Sequence, residues 1–384
     1  MILFYDEMGR LQDPPDFIEL GWNRKYREPG NFTLYMPARE WKNKPFLYIQ
    51  IEGRKETAIV QKVVYEKKTE GDFVTISGFF IEKLLDWGCN IYPETLTATK
   101  AEDVQKAVEG LLAADFSRTS NPQLGKVNFA EDTKWPARLN VSLEPGTGFG
   151  TFLYNWLEPQ GLSWYAEPIF KSLSSTSGVP KLMLGANIHI YSGSDKSKEI
   201  YFSEGFKNVS SMSYVLDESK EYPIIGIIQD IGEHPEGFSG VTTVHTPDGD
   251  KSFIYEQIIT YTTVPSFAFN SPMPFKVIKG QVSGVEIKPE NEAAIRAAMK
   301  QQAATEQLNF YKLETLSLKV IQNTFYYLTD YDLGDKCTAI LDDLEKMFTV
   351  PIVEVDEVHR NNMVEISLTL GTPRKAKYRQ IQTY

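Results

Sequence analysis

A chain of 384 residues that is 42% apolar and 24% charged is too long for one ordinary core and too apolar for disorder, so several compact units are expected. A formal charge of -11 argues against a nucleic-acid groove as its main business, because neutralising phosphates takes clustered cations. The 20 Tyr and 22 Phe, alongside many Thr, Val and Ile, favour strands over helix bundles.

The opening Met1-Ile2-Leu3-Phe4-Tyr5 is apolar, but Asp6 and Glu7 break it at once and no basic region precedes it, unlike a secretion signal. No apolar run approaches a membrane span. The chain is expected to stay in the cytoplasm where it is made, or to leave by a route other than secretion. Residues 16–37 read as two strands around a turn at Glu28-Pro29-Gly30-Asn31, with Pro presetting φ and Gly supplying a positive φ. Alternation puts Leu20, Trp22, Arg24 and Tyr26 on one face, and Phe32, Leu34 and Met36 together after the turn. Strands follow at 46–52, 58–66 and 73–77. Ile81, Leu84, Leu85 and Trp87 then fall on one face of a short helix. Residues 1–92 therefore read as a small barrel or split sandwich.

Residues 93–180 read as an α+β insertion. Thr99 caps a helix whose positions Val104, Ala107, Val108, Leu111 and Leu112 share a face, running to about Phe116. A loop at Asn121-Pro122, a strand at 138–143, a turn at 144–150, a short helix at 151–157 and an extended stretch at 162–169 complete it. Residues 181–288 return to β, with strands at 181–184, 188–192, 199–202, 211–216, 223–229, 242–245 and 253–259. A hairpin signal sits at Pro247-Asp248-Gly249-Asp250. Within 289–315 lies the clearest helix, 289–309: Pro289 starts it, Glu290 and Glu292 favour its positive end, and alanines supply propensity. Its stripe of Ala294, Ile295, Ala298 and Met299 is thin, so it packs close to a neighbour or lies on an assembly surface. From 316 to 384 the period is two again, with strands at 316–320, 325–328, 337–341, 352–358 and 364–370 and a turn at Asp332-Leu333-Gly334-Asp335.

Several clusters invite a chemical reading. Gly146, Gly148 and Gly150 stand between a strand and a helix, but a dinucleotide loop needs a further Gly where Thr151 stands, and no phosphate-binding Lys follows. Asp330, Asp332 and Asp335 gather oxygens at a turn without the spacing or distal Glu of a calcium loop. His189, His234, His245 and His359 show no metal spacing, and Glu233 beside His234 is a weak pair. Cys89 and Cys337 give no disulfide framework, no zinc spacing and no nucleophile motif, which suits a reducing place of synthesis. The pairs Glu354/Asp356 and Asp342/Asp343 suit glycosidase work as well as they suit a polar strand face and a turn. Trp156, Trp164 and Tyr165 suit a sugar groove or a core. The basic tail Arg374, Lys375, Lys377 and Arg379 is a solvated end or a contact for an acidic partner. No catalytic, cofactor-binding or metal-binding residue is therefore assigned, and no cofactor is expected.

Order and wording together suggest a family. A Leu-x-Trp strand, a Pro-Gly turn, a Phe-x-Leu strand and Met36-Pro37 open the chain; Ser77-Gly78-Phe79 leads to the Leu84-Leu85 pair; Asp330-x-x-Leu333-Gly334-Asp335 enters a strand, and Leu370-Gly371-Thr372-Pro373 closes. This resembles the Gp37-like tail hub proteins of siphophages and prophages, the N-terminal region of the tail-associated lysin or baseplate hub family. The resemblance implies a mainly β, multi-domain fold with α+β insertions and two tube-type β-barrel domains, the first and last units, which lie together. It also implies a structural role at the virion tail tip, with assembly in the host bacterial cytoplasm; with no catalytic constellation in the sequence, an enzyme is not expected. A homotrimer would present six near-equivalent surfaces to the hexameric distal tail ring protein and close the channel used by the tape measure protein and DNA. Receptor-binding or fibre proteins are further partners. A contractile tail, a wall- or polysaccharide-degrading β-rich enzyme and a carbohydrate-binding adhesin stand as alternatives.

Overall fold

The computed structural model describes residues 1–7, 9–86, 88–92, 94–118, 124–173, 181–217, 222, 224–232, 236–247, 249–259, 275–280, 286–307, 313–360 and 363–371. These fall into two compact units: Met1–Ser213 with Leu316–Gly371, and Tyr214–Thr315 between them in sequence.

The opening hairpin forms as its alternation predicts. Strands Glu19–Lys25 and Asn31–Pro37 pair antiparallel, with Trp22 opposite Phe32 and Leu20 opposite Leu34. Leu20, Trp22, Arg24, Tyr26, Phe32, Leu34 and Met36 all point inward and are buried. One detail of the turn differs from expectation: Gly30 is not among the residues with positive φ. Glycine is required there for space instead, since a Cβ would come within 2.3 Å of the Phe80 ring and 2.5 Å of the Asn23 carbonyl oxygen.

The two ends of the chain carry the same six strands in the same order, the first end having the two-residue strand Leu11–Gln12, paired with Ile2–Tyr5, in addition. The first set is Ile2–Tyr5, Glu19–Lys25, Asn31–Pro37, Tyr48–Ile51, Thr57–Lys68 and Gly71–Phe80. The second is Tyr201–Phe202, Val209–Asp217, Leu313–Val320, Lys336–Leu341, Lys346–Arg360 and Met363–Gly371. In each, the second, third, sixth and fifth strands lie side by side in that order, the fourth pairs with the fifth, and the first pairs with the fourth. The sets differ in that the first strand pairs antiparallel in one and parallel in the other. The fifth strand of the second set then pairs antiparallel with the second strand of the first, from Glu354 opposite Lys25 to His359 opposite Leu20. The result is one sheet of 13 strands among the described residues.

This corrects two expectations. Among the described residues neither terminal unit closes into a barrel of its own; the backbone groups at the facing edges are spent on the strand pair between them. The second β-unit also starts upstream of 316: between its strands Val209–Asp217 and Leu313–Val320 the chain runs through most of the unit Tyr214–Thr315, where the first unit has only a short turn.

Within the first unit, Phe4, Leu20, Trp22, Phe32, Leu34, Met36, Ile49, Val74 and Ile76 make one core. At the sixth strand a Cβ on Gly78 would meet the carbonyl oxygen of Ile59 at 1.8 Å, beside the bulge between Val60 and Lys62. Gly78→Ala is expected to cost about 1–3 kcal/mol, because backbone rather than a movable side chain must give way; urea denaturation reads it directly.

A second core joins helix Ala101–Arg118, through Val104, Val108, Leu111 and Leu112, to helix Phe149–Leu157 and the hairpin of Ser163–Leu173 with Lys181–Tyr191. Trp156 and Trp164 belong to this core, which removes them from any sugar groove. The hairpin runs through the expected boundary at 180, and the stretches 181–184 and 188–192 are parts of one strand. The expected strand at 325–328 is a turn, held by the Asp330 carboxylate accepting from the Tyr326 N–H at 2.7 Å.

The unit Tyr214–Thr315 carries a four-stranded sheet in the order Val241–Thr246, Gly249–Ile259, Ile224–Gly232, Phe275–Lys279. Helix Glu292–Gln307 covers one face with Ile295, Met299 and Ala303, one residue per turn. The thin stripe thus packs close to a sheet. Arg296 fixes the helix by donating to Glu256 and Glu292, each at 2.8 Å.

Candidate functional site

The most highly built region of the chain is the seam where its two ends meet. Arg24 is an inward-facing charge on an otherwise apolar strand face and is 7% exposed. It donates from Nε to Glu56 at 2.6 Å, and from Nη1 to Asp332 at 2.5 Å and to the Tyr327 hydroxyl. Burial acts to lower its pKa, but Glu56, Tyr327 and Asp332 together outweigh that and hold it well above the ordinary value. Next to it Glu357, fully buried on Lys346–Arg360, accepts from Arg54 at 2.8 Å and contacts the His359 ring at 3.2 Å. Strands from one end of the chain and a loop from the other are thereby tied through a desolvated ionic network.

The opposite face of the seam is polar, and its side chains bond to one another. Asn23 donates its side-chain amide to Glu354 at 2.7 Å and to Asp356, Arg360 donates to Glu19 at 2.6 Å, and Lys319 donates to Glu365 at 2.7 Å. Glu354 and Asp356 therefore share one amide on one strand face. They do not oppose each other across a cleft, as paired glycosidase carboxylates must.

Besides the short strands Leu11–Gln12 and Tyr201–Phe202, two longer strands stand at the margins of this sheet among the described residues. On Thr57–Lys68, Tyr48–Ile51 covers only the first residues, so 61–68 present an unpaired side with Val63 41% and Tyr65 57% exposed. Val209–Asp217 ends the sheet on the other side. Long open edges of this kind pair with other strands unless they are protected.

The glycine triplet has a definite explanation. Asp86, at the end of the turn Ile81–Asp86, accepts at 2.6 Å from the N–H of Thr151 in the first turn of helix Phe149–Leu157. A Cβ on Gly148 would lie 2.5 Å from that same carboxylate oxygen, and one on Gly150 3.0 Å from it. The helix end that would hold a phosphate is filled by a carboxylate of this chain, and the glycines make room for it.

On the same turn Glu82 is 2% exposed, accepts from the Ala166 N–H at 3.2 Å, and leaves Oε2 without a partner. Burial pushes its carboxyl up to about 8. The folded chain thus keeps a proton that the unfolded chain has lost between about pH 4.5 and 8. Stability is expected to fall across that window by about 1.4 kcal/mol per pH unit from this group and to level off above it. Glu82→Gln should flatten the slope and be the more stable form at pH 8, as melting temperatures across pH would show.

The remaining candidates are occupied by local bonds. Asp335 accepts from the N–H groups of Ser194 and Asp332 and pairs with Lys196 at 3.0 Å, while Asp332 serves Arg24. Among the described residues, no group of three His, Cys, Asp or Glu could hold a metal ion. His245 bonds Asp250 at 2.6 Å, and His189 lies between Asp132 at 2.8 Å and Glu167 at 3.3 Å. Asp342 and Asp343 sit in a short exposed turn. Cys337 is buried, its thiol pushed up to about 12 mainly by desolvation; Cys89 is half-buried. Glu233, His234 and the basic tail 374–379 lie outside the described residues. No helix among those described is long and apolar enough to cross a membrane.

Comparison with known proteins places these features. Residues 149–372 match the family model described as Siphovirus ReqiPepy6 Gp37-like protein. No curated protein matches the chain. The fold is similar to that of the tail protein from Neisseria meningitidis MC58, at 14% identity and TM-score 0.52 over 96% of each chain. It is also similar to the 43 kDa tail protein of prophage MuSo2 from Shewanella oneidensis, at 13% identity and TM-score 0.50 over 97% of this chain and 98% of that one.

Proposed function

The chain belongs to the Siphovirus ReqiPepy6 Gp37-like protein family and is a phage tail protein, and on that premise we propose that it is the homotrimeric hub of the tail tip. The observation that carries this reading is the repeated strand order. Read across the sheet, the four-strand run of the second unit is followed by the same run from the first. Within the chain, the fifth strand of one copy pairs with the second strand of the other. The open edge on Thr57–Lys68 is again a fifth strand, and Val209–Asp217, which ends the strand order on the other side, is again a second strand. Joining them between neighbouring subunits repeats a junction the chain already makes.

Such a head-to-tail contact closes into a ring when its rotation divides the circle. Three subunits carrying two runs each present six near-equivalent segments, which suits docking on the hexameric distal tail ring. The polar face, whose side chains bond to one another, is suited to line the channel for the tape measure protein and DNA. Receptor-binding or fibre proteins would attach at the tip. The role is that of a scaffold rather than an enzyme; carboxylates and glycines that resemble catalytic parts are engaged in capping and strand pairing. Cryo-electron microscopy of the purified chain tests the reading. Threefold class averages with a central lumen and six wall segments are expected, and twofold or asymmetric particles would overturn it.

A further inference from the structure

We propose that a polar cavity within the unit Met1–Ser213 with Leu316–Gly371 binds a short neutral saccharide. The cavity has a volume of about 360 Å³, in the range of small-molecule sites. Its floor is formed by Arg24 and Glu56, both 7% exposed, and its walls include Arg54, Tyr165, His189 and Asp332.

The composition of the lining selects the ligand class. Four cationic side chains, Arg24, Arg54, Lys55 and Lys134, alternate with three carboxylates, those of Glu56, Asp132 and Asp332. An anion would meet the carboxylates and a cation the guanidinium and ammonium groups. An apolar ligand would desolvate both without replacing their hydrogen bonds. A polyhydroxylated ligand avoids all three costs, because each hydroxyl both donates and accepts. Lys134 at the rim donates to Ser192 at 3.3 Å, and an ammonium has three donors in all. Asp132 engages His189 through one oxygen, and its side chain is 73% exposed.

The apolar parts of the cavity match the rest of such a ligand. Tyr165 and His189 stack with ring centroids 4.6 Å apart and planes within 4°, and Tyr191 meets Tyr165 edge-on at 5.6 Å. Lys55 steadies this wall by donating to the Tyr165 hydroxyl at 2.9 Å. At the mouth Leu328 is 43% exposed and takes φ +69, a left-handed backbone that a leucine rarely adopts. Its N–H donates to the Tyr331 carbonyl at 2.7 Å, which holds it there. Backbone strain that presents an apolar side chain beside a charged cavity is of the kind found at ligand clamps. Sugar rings pair an apolar C–H face with a hydroxylated edge, and the cavity offers both surfaces.

The test uses the full-length chain on an array of neutral bacterial and plant oligosaccharides, with phosphorylated and sialylated glycans and inorganic phosphate as charged probes, followed by calorimetry on the best neutral glycan. At least one neutral glycan should be retained. Tyr165→Ala and Asp132→Ala should each weaken it roughly tenfold, the loss of about one good contact, with the oligomeric mass unchanged and the folded state retained by circular dichroism. No neutral binder at millimolar concentration, binding of charged probes alone, or affinity indifferent to both substitutions would overturn the proposal. Neither residue lies on Thr57–Lys68 or Val209–Asp217, so failure here leaves the assembly reading intact, and the reverse also holds.

Discussion

Arg24→Ala should lower the stability of the unit containing both chain ends by about 3–5 kcal/mol, the usual cost of leaving buried ionic partners without their counterion. Glu56, 7% exposed, would lose its nearest cation, and Asp332 and Tyr327 would lose the donor that ties their loop to the opening hairpin. Arg24→Lys should recover only part of the loss, since a single ammonium cannot reach all three partners with the fixed fork of a guanidinium. A triple variant with Arg24, Glu56 and Asp332 all replaced by apolar residues of similar size should recover more than the lysine does, because no desolvated charge remains. Denaturant titration of the four proteins ranks them. Equal stability of Arg24→Ala and the parent would remove the network from any structural account of the seam.

Proline on the open side of Thr57–Lys68 should convert the assembly to monomers while leaving the subunit folded. In an antiparallel strand successive N–H groups point to opposite sides. Of the two neighbours Val63 and Val64, one therefore aims its N–H at the open edge and the other at Gly71–Phe80, with which both residues pair. Proline at the first removes a donor needed only between subunits. At the second it breaks the internal ladder as well. One substitution should abolish the oligomer at unchanged melting temperature, and the other should also lower that temperature. Oligomers surviving both prolines would show that subunits meet elsewhere.

Much of this fold was legible from alternation. Leu20, Trp22, Phe32, Leu34 and Met36 announce both strands and their buried face, and Ile295 and Met299 announce the covered face of the alanine-rich helix. What the sequence hides is set by long-range pairing. Ile2–Tyr5 looks like a failed signal segment until Tyr48–Ile51 lies beside it. Val209–Asp217 is separated from its partner Leu313–Val320 by most of the unit Tyr214–Thr315, so the second copy of the strand order is split where no local pattern marks the split. Arg24 was readable as a charge on an apolar face, but its partners Glu56 and Asp332 lie 32 and 308 residues away. The cavity has no motif at all: its lining comes from several separate stretches that only the hairpin and the seam bring together.

Static light scattering on the purified full-length chain tests the central idea most directly, because a sheet that is finished only by its neighbour cannot leave subunits single. Three times the monomer mass, held on dilution to low micromolar concentration, is the predicted result. A well-folded monomer that persists at high protein concentration would contradict it.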